Sequence, residues 1–157
     1  MPFFVTIVSR GLGVGIAAES LIKQGVAVTI TEIDPSVYHA ARQYFGLSRP
    51  ASVNLADAAL VVQDRASAIV SAGRLPSKRD QFDFVVHDCF TGGSVPAELF
   101  TREFWWDLAL GLKTDGVVVV VSLGHFKRAH PDSEKILHKV QAQRLTVSSL
   151  CYPSPPS

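Results

Sequence analysis

An α/β fold in three layers, with helices covering both faces of a mostly parallel sheet of about six strands, is predicted by three observations. Apolar β-branched runs alternate with helical segments along the chain. The run Val117, Val118, Val119, Val120, Val121 has the composition of a strand buried on both faces. Glycines 11, 13 and 15 fall between the first such run and the first helical segment, as in a Rossmann-like strand-turn-helix unit.

The elements follow in order. Residues 3–8 are an aromatic and β-branched strand, and residues 16–24 are a helix stopped by Gly25. Residues 26–31 are a second strand. Asp34 then caps a helix that Pro35 opens and Gly46 ends. Residues 47–54 read as a loop, residues 60–63 as a short third strand ending at Asp64, and residues 66–73 as a helix. Residues 82–88 are a fourth strand with Asp88 at its carboxyl end, followed by a helix over 96–112. A turn at Thr114, Asp115 and Gly116 leads into the fifth strand. A helix over 132–143 and a sixth strand over 145–150 complete the pattern.

The 157 residues suit one domain, expected over 1–150, with a Pro/Ser tail at 151–157 that frays. Apolar residues make up 47% and charged residues 18%, a globular composition. Fifteen basic against fourteen acidic residues give a net charge of +1, too small to draw the chain to nucleic acid or an anionic membrane. No apolar run approaches the roughly 20 residues that span a bilayer. Cys89 and Cys151 form no metal or disulfide motif, so a reducing cytoplasmic setting is expected.

In a doubly wound sheet, ligands bind beyond the carboxyl ends of the strands, where strand order reverses. The candidate ligand residues gather there. Gly11, Gly13 and Gly15 allow a tight turn and close backbone approach, and the helix behind them aims its N–H groups at a ligand. Glu32 ends the second strand, where a carboxylate can accept both hydroxyls of a ribose. Asp64 is placed to accept from the exocyclic amine of an adenine, with Ala66 flanking the base. Asp88 faces the expected reaction centre as the candidate catalytic group.

Position 16 is Ile, so the dinucleotide pattern G-x-G-x-x-G is not met. A nucleoside with a short tail, S-adenosylmethionine or a relative, fits the G-x-G-x-G turn better than NAD. Alternation points His87 and Asp88 to opposite faces, which makes His87 structural. Cys89 has no evident base partner for a nucleophilic role. Phe90, Phe100, Phe104, Trp105 and Trp106 read as core and helix packing or as a substrate wall, and Thr91, Gly92 and Gly93 as a substrate gate.

These residues together resemble the spermidine synthase-like (polyamine aminopropyltransferase) branch of the class I S-adenosylmethionine-dependent methyltransferase fold. Gly11-Leu12-Gly13-Val14-Gly15 resembles its glycine motif, Glu32-Ile33-Asp34 its ribose-binding segment, and Gln63-Asp64 its adenine-side aspartate. Asp88 with Pro96-Ala97-Glu98-Leu99-Phe100 resembles its D-x-x-D…P-A-E-x-F stretch. The resemblance implies S-adenosylmethionine or decarboxylated S-adenosylmethionine as cofactor and transfer of a methyl or aminopropyl group to a small-molecule acceptor. It sets no oligomeric state.

Relative to that family, the chain is expected to lack the amino-terminal β domain and part of the C-terminal hairpin. Val14 stands where the family's glycine motif carries Asp, and Thr91 where a second Asp serves as general base. Those two positions argue against polyamine synthesis itself. They also leave open a non-catalytic nucleoside-binding or scaffold homologue.

Overall fold

Strand β1 (Phe4–Ser9) gives way to a turn in which the Gly15 amide donates to the Leu12 carbonyl oxygen, and α1 (Ile16–Lys23) begins. At its end Gly25 donates to the Ile22 carbonyl and Val26 to that of Leu21, the paired bonds of a Schellman motif. The chain thereby turns directly into β2 (Ala27–Glu32). Asp34 accepts from the Ser36 amide and caps α2 (Pro35–Tyr44), as predicted. The computed structural model describes residues 4–9, 12–73, 81–89, 96–121 and 148–150.

The next stretch differs from the sequence reading. The third strand is β3 (Ser52–Leu55), starting within the loop expected over 47–54 and ending one residue past it, and residues 60–63 lie in α3 (Ala58–Ser71). Leu60, Val61 and Val62 carry strand propensity, but two local features override it. The Asp57 side chain accepts from the Ala59 amide, an N-cap just ahead of the run. Ala58, Val62 and Ala66 are buried at i, i+4 and i+8, one face of a helix.

Strand β4 (Phe82–Asp88) matches its predicted bounds. The single helix expected over 96–112 is divided into a 3-10 turn, Ala97–Phe100, and α4 (Arg102–Leu110). The division falls at Thr101, whose extended backbone and hydroxyl, accepting from the Phe104 amide at 3.2 Å, start a new helix. The turn read at 114–116 lies within β5 (Leu112–Val121), where the register shifts so that Phe82 faces Leu112 but Phe84 faces Val117. β6 is Ser148–Leu150. The helix expected over 132–143 and the tail at 151–157 lie outside the described residues.

The sheet runs β3-β2-β1-β4-β5-β6, every described pair parallel. Strand order therefore reverses between β1 and β4. Two cores cover the faces. Leu12, Ala18, Val28, Ile30, Ala41 and Leu47 form one with α1 and α2. Val62, Val85, Leu99, Phe104, Trp105 and Leu108 belong to the other, with α3 and α4. Within β4 the side chains alternate: Phe84 and Val86 pack on the α1/α2 side, Val85 and His87 on the α3/α4 side. That alternation carries Asp88 to the side of the glycine turn.

At Gly116 a Cβ would lie 2.5 Å from Leu112 Cγ and 2.9 Å from the Lys113 carbonyl oxygen. Gly116→Ala is therefore expected to destabilise the fold by about 1–3 kcal/mol, the usual cost of forcing extra volume into a packed site. Urea unfolding measures it; an unchanged midpoint contradicts the irregular register of β5.

Candidate functional site

Two strand-to-helix junctions meet at the carboxyl edge of the sheet, and one buried carboxylate joins them. Glu32, 1% exposed at the end of β2, accepts from the Leu12 amide at 2.8 Å through Oε2 and from the Asp34 amide at 3.0 Å through Oε1. The β1–α1 turn and the β2–α2 junction are thus tied to the same side chain. An ionised carboxylate accepting two backbone N–H bonds in a buried setting is strongly preferred over a neutral amide, which presents only one acceptor. Each oxygen keeps a second lone pair, so the arrangement is compatible with the ribose contact expected from the sequence.

The glycine turn has little freedom to change. Gly13 and Gly15 have φ of 54° and 81°, in the left-handed region that side chains disfavour. A Cβ on Gly15 would also approach Leu47 Cδ1 at 3.2 Å. Leu47 is held there from α1, because the Glu19 carboxylate accepts from the amide and hydroxyl of Ser48 and pairs with Lys23 at 3.3 Å. The Ser48 amide bond, ahead of the other contacts, draws the Glu19 carboxyl below its usual pKa. Among the described residues no side chain caps α1, so its amino end is left to backbone and ligand. Gly11 lies outside the described residues.

Across the strand-order reversal, Asp88 faces Ser9 in the register of β4 on β1. Partial burial pushes its carboxyl pKa above the ordinary carboxylate value. A carboxylate in that condition is a better proton acceptor than an exposed one, and it stands beside the strand that feeds the glycine turn. Cys89, next along the chain, is a buried thiol of the α3/α4 core, which opposes a nucleophilic role. Thr91, Gly92 and Gly93, the expected gate, lie outside the described residues, as does Phe90.

Asp64 is not where the sequence placed it. It sits exposed in the middle of α3 rather than at a strand's carboxyl end, because the strand it was to close is a helix. Ala66 is 3% exposed and packs in the core instead of lining a base pocket. The acidic residue just past β3 is Asp57, followed by the buried Ala58, and Leu55 of β3 pairs with Glu32. Asp57 lies between the loop read over 47–54 and the strand read over 60–63, and its N-cap position ahead of an apolar run was the signal that could have found it. Of the aromatics, Phe104 and Trp105 are buried in the core, Phe100 is half-buried against it, and Trp106 is half-exposed on α4.

His87, the other polar group at the end of β4, is fully buried, and its pKa falls to about 4 because burial penalises the imidazolium. Its Nε2 lies 3.2 Å from the Leu99 carbonyl oxygen. Among the described residues no three His, Cys, Asp or Glu side chains are grouped to hold a metal ion, and no helix is long and apolar enough to cross a membrane.

The residues fit an adenosyl ligand in two respects: a carboxylate with remaining acceptor capacity and, among the described residues, a helix start that no side chain caps. The spermine/spermidine synthase domain profile matches residues 11–156. The N-terminal histidine N-methyltransferase of Emericella nidulans is 43% identical over 110 residues, 70% of this chain and 18% of that protein. The polyamine aminopropyltransferase of Vibrio vulnificus is 33% identical over 92 residues, 57% of this chain and 27% of that one. The chain thus matches under a third of the length of either relative. The human methyltransferase-like protein 13, solved in complex with SAH, superposes with a TM-score of 0.64 at 21% identity, covering 90% of this chain and 63% of that one.

Two outcomes are expected. Glu32→Gln leaves one backbone N–H facing an amide NH2, so the ligand-free protein loses about 1–3 kcal/mol in denaturant unfolding; unchanged stability would reduce Glu32 to a ligand contact. The second concerns pH. Between 6.5 and about 4 the unfolded chain protonates His87 while the folded protein does not, so stability falls as pH drops through that window, by on the order of 3 kcal/mol. His87→Leu should flatten the loss between about pH 6.5 and 5, where carboxylates contribute least; a slope equal to the wild type's would contradict the assignment.

Proposed function

The chain belongs to the spermine/spermidine synthase domain family, and on that premise we propose that it binds S-adenosylmethionine and methylates a nitrogen acceptor. The observation that carries this reading is Val14. Its side chain is 38% exposed on the turn between Leu12 and Gly15, where the resemblance places the family's carboxylate. A carboxylate there would attract the ammonium of a decarboxylated cofactor and oppose the carboxylate of the intact methionine tail. An apolar side chain does neither.

In this reading the turn that holds Gly13 and Gly15 lies under the ligand's tail, and Glu32 accepts from the ribose hydroxyls with the lone pairs left over from Leu12 and Asp34. Asp57 replaces Asp64 at the adenine amine, and the half-exposed Ile33 flanks the base. When bound, S-adenosylmethionine supplies an electrophilic sulfonium methyl. Asp88 accepts a hydrogen bond from the acceptor nitrogen, orients its lone pair, and takes the proton that the amine loses, a role its raised pKa favours. The Emericella nidulans relative is named for the N-terminal histidine of its substrate, and a peptide beginning with His is the acceptor we propose to test first.

Methyl-labelled S-adenosylmethionine incubated with a His-initiated peptide is expected to label it. Asp88→Asn should lower the rate by about 10²–10⁴-fold while leaving cofactor binding in place. Aminopropyl transfer from decarboxylated S-adenosylmethionine to putrescine, without methylation of any amine, would overturn the reading in favour of polyamine chemistry.

A further inference from the structure

We propose that His87 is a positioning residue for Asp88: its Nε2–H, donated to the Leu99 carbonyl oxygen, latches the end of β4 to the 97–100 turn and fixes where the Asp88 carboxylate stands. The inference rests on the function proposed above for Asp88, but its geometry is independent of it.

The imidazole is enclosed on the α3/α4 side of the sheet. It stacks on Trp105 at 5.1 Å between centroids and 29° between planes, and meets Phe100 and Phe104 edge-on at 4.9 and 5.5 Å. Cys89 Sγ lies 3.8 Å from Nε2. Among the described residues Nδ1 has no hydrogen-bond partner. A buried ring nitrogen without a partner is destabilising, and a Leu or Phe would fill an aromatic cage without that cost. What His87 supplies that those side chains cannot is a donor for Leu99.

The acceptor identifies the tautomer, since a carbonyl oxygen can only accept: Nε2 carries the proton and Nδ1 is bare. The bond spans twelve residues and joins the strand that ends in Asp88 to the turn Ala97–Phe100. Leu99 itself is fully buried in the same core, so its carbonyl is a firm anchor. His87 is also paired on both sides, with Val8 of β1 and Val120 of β5, which leaves β4 little freedom there. With the end of β4 tied both to its neighbouring strands and to the 97–100 turn, the backbone that carries Asp88 between Ser9 of β1 and Val121 of β5 is fixed. An error of about 1 Å in a reacting group can cost on the order of 10²-fold in rate.

The test compares His87→Leu, which removes the donor, with His87→Gln, whose amide N–H restores one. The rise in melting temperature on adding S-adenosylhomocysteine is expected to be the same in all three proteins. Turnover should fall at least about tenfold in the Leu variant with KM for S-adenosylmethionine unchanged, and Gln should recover most of it. The Asp88 carboxyl titration, followed by 13C NMR, should move toward the ordinary carboxylate value in the Leu variant. Unchanged turnover and titration in a folded Leu variant would overturn the proposal, as would a parallel loss of ligand response. If the wild type shows no methyl transfer, the function proposed above fails while the Asp88 titration still decides the latch. If His87→Leu does not fold, the 15N shifts of the wild-type ring decide it: protonated Nε2 with bare Nδ1 is expected, and the other tautomer contradicts it.

Discussion

The two hydrogen bonds accepted by Glu32 are the constraint on which the site depends. The Leu12 amide and the Asp34 amide belong to different strand-to-helix junctions, and a single carboxylate, 1% exposed, holds both. Because β2 lies between β1 and β3, the side chain enters the site from a strand that cannot shift without breaking two ladders. The glycine turn is therefore shaped before any ligand arrives. A preorganised turn spares a ligand the entropy of ordering it.

The sheet divides labour between its faces. On the α1/α2 side, the turn, Glu32 and Asp88 share the carboxyl edge, and the packing beneath them uses small or branched side chains such as Ala18, Ala41 and Leu47. On the α3/α4 side, aromatic packing around Trp105 and Phe104 dominates, and His87 is a buried polar member of it at the end of β4. Strand alternation alone assigns His87 and Asp88 to these different tasks. Adjacent in sequence, they are driven in opposite directions by burial: the imidazole is kept neutral, and the carboxyl is made a stronger proton acceptor.

Most of the fold was legible because its signals were local. Asp34-Pro35 specified a helix start, Gly25 a helix stop, and the apolar run 82–88 a strand, each by a single physical mechanism. The positions of Glu32 and Asp88 were legible because each closes such a strand. It was not legible between 52 and 64, where valines at 61 and 62 suggested a strand and the helical spacing of Ala58, Val62 and Ala66 was masked by their small size. Asp64 was misplaced with that strand, and Asp57 passed unread. The double hold of Glu32 on backbone was equally hidden, since a residue's spacing from a glycine turn does not say which amide reaches it.

The account's central claim is that the junction tied by Glu32 is an adenosyl site rather than a dinucleotide site. Calorimetric titration of the protein with S-adenosylhomocysteine and, separately, with NADH tests it most directly. Saturable one-to-one binding of S-adenosylhomocysteine with no heat from NADH is the predicted result; saturable binding of NADH with none of S-adenosylhomocysteine would contradict it.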